Sequence, residues 1–308
     1  MSYRLSLDQP VPAVVRSVAR ERAVHALHAL REIAPEDPGT AVHDVRKDAK
    51  KLRALLRLLQ PGLDPELRRG ENQAIAALAR SLSGSRDADV LAAQAARLRE
   101  RAVGQAPEAT FAAIHDAFAR SAADAAPLAE AIPPAIARLE ALVARIEDWP
   151  LHDVGARTLV AGVERTYARG RADLARVRRR PADAELLHAW RKRVKDLWYQ
   201  LRLLRDAWPE VLKAQAAELA TLGELLGDDH DLWVLRDQLT APGGVGAGLA
   251  VDLAPVIAAI DARRARLQAE ALAIGARVYA EKPGAFARRH RAYLRAARAA
   301  ASHGTIRG

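Results

Sequence analysis

The chain contains no cysteine in 308 residues. That excludes disulfides, a cysteine nucleophile and a thiolate metal site. Aromatic residues are scarce at 4%, although half of all residues are hydrophobic. The apolar residues are chiefly Ala and Leu, which favours packed helices over sheets. No alternating pattern long enough for a strand is present. No run of 18 uncharged apolar residues occurs, so no membrane span is expected. The opening MSYRLSLDQPVPAVVRSVAR lacks an apolar core segment, so no secretory signal is expected and the expected location is cytoplasmic. The Gly-rich stretch APGGVGAG (241–248) follows no expected strand, so it is not a phosphate-cradling loop. G-x-S-x-G is missing, and nothing pairs a nucleophile with a base. These absences point to a non-enzymatic protein without a cofactor.

What the chain does have is one line written twice. HDVRKDAKKLRALLRLL (43–59) overlays HAWRKRVKDLWYQLRLL (188–204) at an offset of 145. His43 falls on His188, Arg46 on Arg191, Lys47 on Lys192, Lys50 on Lys195 and Arg57 on Arg202. The apolar positions Val45, Ala49, Leu52, Leu56 and Leu59 fall on Trp190, Val194, Leu197, Leu201 and Leu204. A repeat that keeps both an apolar and a basic stripe indicates a duplicated module with a duplicated anion-binding face.

His43, Arg46, Lys50, Arg53 and Arg57 step by three and four, so they share one helix face. Val42, Val45, Ala49, Leu52, Leu56 and Leu59 form a core stripe about 100° around the axis. Like charges at such spacings repel by roughly 0.2–0.5 kcal/mol per pair. Solubility does not require so one-sided a face, and a bound polyanion would offset the repulsion. The bland alternative is a solvated face whose long stems lie over the core. The whole chain is basic, with 48 Lys and Arg against 38 Asp and Glu, a net charge of +10. Lysine is the sharper clue. Of seven lysines, Lys47, Lys50, Lys51, Lys192 and Lys195 lie in the two repeated segments.

Proline and glycine punctuate helical stretches. Helices are expected from Pro12 to about Ile33, over 41–60, and from an Asp64–Pro65 cap toward Glu100 with an interruption at Ser83-Gly84-Ser85. Further helices fall between Pro107 and Pro127, from Pro133-Pro134 to about Trp149, over 153–179, over 182–208, and from Pro209 to Leu239 with a pause at Gly227. Residues 241–248 read as a flexible loop. Helices over 252–281 and 284–301 and a frayed tail SHGTIRG complete the chain. The fold class is all-α: two antiparallel helical bundles, 1–150 and 151–308, related by the internal duplication. LSGSRDADVL (82–91) also matches LGDDHDLWVL (226–235), setting Arg86 against His230 and Asp87 against Asp231.

Other basic rows border the repeat. Arg165, Arg169 and Arg176 share a face of the helix before the second copy, and Arg16 and Arg20 do so in the first half. The C-terminal RRHRAYLRAAR (288–298) has no repeated counterpart and reads as a solvated face. Glu185 with His188 has the Glu-x-x-His spacing of di-iron bundles, but Thr40 occupies the matching place before His43. The cluster Asp228, Asp229, His230 and Asp231 is a weak metal candidate.

These residues resemble the CHAD family, the "conserved histidine α-helical domain". The likeness covers nearly the whole chain. It rests on VHDVRKDAKKLRALLRLL, SRDADVL, YARGR, LHAWRKRVKDLWYQLRLL and LGDDHDL in that order. It implies two four-helix-type bundles with pseudo-twofold symmetry, together one domain. It further implies binding of inorganic polyphosphate and association with polyphosphate granules. By resemblance the binding positions fall on His43, Arg46, Lys47, Lys50, Arg53, Arg86, Arg169, His188, Arg191, Lys192, Lys195 and His230. Arg16, Arg20, Arg57, Arg165, Arg176 and Arg202 join them from the charge pattern. Trp198 stands where the first copy has Arg53, so equivalence of the copies is not implied. The triphosphate-hydrolysing tunnel domain found in some members has no signature here. The rival readings are a nucleic-acid binder, a phosphate-transfer enzyme holding Mg²⁺ on Asp87 and Asp231, and a scaffold for an acidic partner.

Overall fold

The computed structural model describes residues 3–82, 86–101, 107–123 and 128–304, without the side chains of 86–90, 92, 101, 122–123 and 302–304. Among the described residues every regular element is a helix. They are α1 (Val11–His28), α2 (Pro38–Leu58), α3 (Pro65–Ser81), α4 (Arg86–Arg101), α5 (Glu108–Ala123), α6 (Leu128–Glu147), α7 (Ala156–Arg179), α8 (Ala184–Leu203), α9 (Pro209–Thr240), α10 (Ala254–Val278) and α11 (Pro283–Gly304). The repeated segments form α2 and α8. None of these helices is long and apolar enough to cross a membrane.

Local chemistry sets where the helices begin. Asp37 accepts from the Thr40 amide at 2.9 Å, and Pro38 opens α2 with a φ already suited to a helix. Asp64 accepts from the amides of Glu66 and Leu67 at the start of α3. Asp183 accepts from Leu186 at 3.0 Å at the start of α8. The predicted core stripes of both repeated helices are buried throughout, Trp190 and Val194 completely so.

The main core draws side chains from both sides of residue 150. A second core gathers Leu98 of α4, Phe111, Ile114 and Phe118 of α5, Leu232, Leu235 and Leu239 of α9, and Ile260 and Leu267 of α10. The 32-residue α9, about 48 Å long, joins the two. It places Leu212, Leu219, Leu222 and Leu226 in the main core, and its last turns enter the second.

Three expected boundaries move. First, α6 starts at Leu128 and runs through Pro133 and Pro134. Both prolines and residues 129 and 130 are exposed, so water replaces the donors they remove. Second, α9 continues through Gly227 because Gly223 and Gly227 make room for side chains of α8. A Cβ at Gly223 would lie 2.8 Å from Lys195 Cδ, and one at Gly227 3.4 Å from an Arg191 nitrogen. Third, residues 245–248 form a 3₁₀ turn packed on α9, not an open loop. A Cβ at Gly246 would overlap the Leu239 carbonyl, and Gly243 takes φ +77°, which favours glycine. The expected interruption at 83–85 and the last residues of the tail, 305–308, lie outside the described residues.

A close backbone approach joins α7 and α2. A Cβ at Gly162 would overlap the Leu58 carbonyl. Gly162→Ala therefore forces two buried helices apart, and we expect a loss on the order of 3 kcal/mol in chemical denaturation. A change under about 1 kcal/mol would show that the helices separate freely there.

Candidate functional site

The two repeated helices meet. Gln200 of α8 donates from Nε2 to the Ala54 carbonyl of α2 at 3.4 Å. Beside this contact Arg57 of α2 donates to Asp196 of α8 at 2.9 Å, and Arg193 reaches the same carboxylate at 3.3 Å. Asp196 is 6% exposed. Burial raises its pKa, and Arg57, Arg193, Arg53 and Arg169 oppose that rise.

The cations outnumber this acid. Arg53 lies within the field of Arg80 and Arg193, and its Nε donates to Asn72 at 3.0 Å. Lys192 is repelled by Arg193, Arg53, Arg57 and Arg191. Arg169 of α7 is repelled by Arg193 and Arg165. For Arg53, Arg57, Arg169 and Lys192 burial is the largest cause of a lowered pKa, with like charges adding to it. Four cations from three helices, Arg53, Arg57, Arg169 and Arg193, thus surround one carboxylate, and Lys192 lies in the field of three of them. The cluster is partly desolvated and carries surplus positive charge, a combination an external anion relieves.

The repeat reverses charge at its centre. The offset of 145 places Asp48 against Arg193 and Lys51 against Asp196. In α2 the buried Asp48 accepts from Lys51 at 2.7 Å, lies 3.5 Å from Arg22 and pairs with His25 Nδ1 at 2.6 Å. The acid of the first copy therefore serves α1, while that of the second serves α2.

A second row on α8 faces α9. His188 and His230 stack with centroids 4.3 Å apart and planes at 26°. Burial, then His230, Lys192 and Arg191, push His188 down to about 4. Its buried Nδ1 has no partner among the described residues. Lys195 Nζ lies 4.2 Å from the Trp198 ring and the Arg202 guanidinium 4.6 Å from it. Trp198, which replaces a cation of the first copy, thus holds two cations through its ring.

Other sequence candidates lie elsewhere. Arg16 donates to the carbonyls of Ile146 and Trp149, at 3.4 and 2.8 Å, closing the C-terminus of α6. Arg20 pairs with Glu147 at 3.1 Å. Arg176 is exposed and pairs with Asp173 at 3.3 Å. His43, Lys47 and Lys50 are exposed along α2 with Arg46 half-buried among them, and Arg165 is exposed one turn before Arg169. The side chain of Arg86 lies outside the described residues, as does that of Asp87. Asp229 is taken by Arg264 at 3.0 Å and Gln268 at 2.8 Å, and Asp231 lies 3.3 Å from Gln94. Among the described residues no group of three or more His, Asp or Glu could hold a metal ion. Sequence reasoning missed Arg193, Asp196, Asn72 and Arg80. The signal for Arg193 was the triplet Arg191-Lys192-Arg193, hidden because its repeat partner is an acid.

Buried histidines predict acid sensitivity. His290 of α11 is 2% exposed, and its Nδ1–H donates to the Phe286 carbonyl at 2.8 Å. Burial pushes it down to about 4. Between the ordinary histidine value near 6.5 and 4 the unfolded chain takes up a proton that the folded chain refuses, so stability falls with pH. His290 accounts for about 3 kcal/mol of that loss. His290→Leu should flatten the fall in urea melts between pH 7 and 4; an unchanged slope would contradict the assignment.

The fold and the charge together define an all-α protein built around a partly buried surplus of cations. The chain belongs to the CHAD domain family, whose sequence model matches residues 16–240, from α1 to the last residue of α9. No curated protein matches it.

Proposed function

We propose that this protein binds inorganic polyphosphate, without catalysing a reaction, along the cations that α2, α7 and α8 bring together. One observation carries the reading: Arg53, Arg57, Arg169 and Arg193 surround a single carboxylate, Asp196, and Lys192 adds its charge beside them. A polyphosphate chain offers about one negative charge per phosphate and releases condensed counterions when cations replace them. Arginine forks bind phosphate oxygens in pairs, and lysines act as point charges. His43, Arg46 and Lys50 continue the α2 face of Arg53 and Arg57, Lys47 flanks it, and His188, Arg191, Lys195, Arg202 and His230 offer a second basic row toward α9. Residence on polyphosphate granules is part of the proposal.

Calorimetric titration with long-chain polyphosphate tests it. About five phosphate contacts on a flexible chain predict a hundredfold or so loss of affinity from roughly 50 to 200 mM salt. Binding that ignores salt, or no binding, would end the proposal. Cleavage of the polyphosphate during the titration would contradict the non-catalytic part.

A further inference from the structure

The C-terminal helix carries charge that the site above does not use. Arg291, Arg295 and Arg298 of α11 step by four and three, so they share one face. Arg157, from the first turn of α7, joins them around a cleft of about 250 Å³ floored by Val160 and Leu294. α11 lies beyond the residues that define the family match.

Several surface arginines elsewhere are paired. Arg4 meets Asp206, Arg20 meets Glu147, Arg31 meets Glu140 and Arg277 meets Glu218. Even Arg289, just before the cleft, pairs with Glu281. Among the described residues no carboxylate pairs with Arg157, Arg291 or Arg295. Arg157, Arg291 and Arg295, without a carboxylate of their own, leave this opening positively charged, and an anion would offset that charge. The start of α7 adds to this field, because its N-cap, Gly155, has no side chain to accept from the first-turn amides.

We propose that this cleft is a second anion site, separate from the α2–α7–α8 cluster, that takes a soluble phosphate monoester with an apolar or aromatic body. The phosphate meets the guanidinium forks in pairs. The apolar body is required by the floor: the cleft is larger than a single phosphate, and Val160 and Leu294 offer no hydrogen bonds to an inorganic ion. The inference stands independently of polyphosphate binding.

The test uses 1-naphthyl phosphate and inorganic phosphate as probes on the full chain. The wild type should bind the naphthyl ester at least about tenfold more tightly than inorganic phosphate. Arg291→Glu with Arg295→Glu should weaken the ester by tenfold or more. Both side chains are exposed, so an unchanged circular dichroism spectrum is expected, and Arg157→Gln provides a milder second variant. Arg53→Glu with Lys192→Glu should leave ester binding within about twofold. No saturable ester binding by the wild type would overturn the proposal. So would ester binding that survives the α11 reversal or follows the Arg53 and Lys192 reversal.

Discussion

Arg53→Glu combined with Lys192→Glu should lower polyphosphate affinity a hundredfold or more. Each lost charge-assisted contact costs about 1.5–3 kcal/mol, and each new glutamate repels a phosphate as well. The fold should survive. Arg53 is half-buried with only Asn72 as its hydrogen-bond partner in the site, and Lys192 is exposed. Arg53 gives up the attraction of Asp196, but the two acids gain that of Arg57 and Arg193. Thermal melts of the double variant should therefore stay cooperative, with a midpoint within about ten degrees of the wild type. Reversing Lys195 would be harder to read, because its stem packs on Gly223 and its ammonium on Trp198. Full affinity in a folded Arg53 and Lys192 double variant would place the ligand elsewhere.

Asp196→Ala should cost about 3–5 kcal/mol, the range for breaking a buried pair by removing one partner. Arg57 and Arg193 would lose the carboxylate they share, and the surrounding arginines would lose the one charge that offsets them. Bound polyphosphate would supply negative charge to the same cations. Saturating polyphosphate should therefore raise the melting temperature of Asp196→Ala more than that of the wild type. Asp196→Asn, which keeps shape but not charge, should behave likewise with a smaller loss. If Asp196→Ala were as stable as the wild type, the carboxylate would not be holding the cluster. If polyphosphate raised both melting temperatures equally, the ligand would not be bound at Asp196.

Both predictions rest on features legible in the sequence to different degrees. The apolar stripes of α2 and α8 were readable because burial alone enforces the 3.6-residue period, and every predicted stripe position is buried. The caps at Asp64 and Asp183 depend on residues within three positions, and only the first was recognised. Pro133 and Pro134 misled because their cost depends on whether water reaches the carbonyls one turn earlier, which is a tertiary matter. Gly227 read as a pause because its purpose lies on another helix, in Arg191. The basic rows were visible as spacing, but spacing does not say which row turns toward its copy. Arg16 and Arg20 fit a helical face as well as Arg53 and Arg57 do. Only the fold shows the first pair capping and bridging α6 and the second meeting α8. Asp196 and Arg193 were obscured for a further reason. The repeat was aligned by like charge, and at its centre the charges are exchanged.

The most direct test is competition. Polyphosphate bound to the wild-type protein at roughly physiological salt would be challenged with duplex DNA of equal total charge, with calorimetry as the readout. A polyphosphate site made of closely spaced cations on α2, α7 and α8 predicts that DNA fails to displace the ligand. It also predicts that the Arg53 and Lys192 reversal removes the heat of polyphosphate binding. Displacement by DNA at equal or lower charge concentration would contradict that account and make the surface a general polyanion binder.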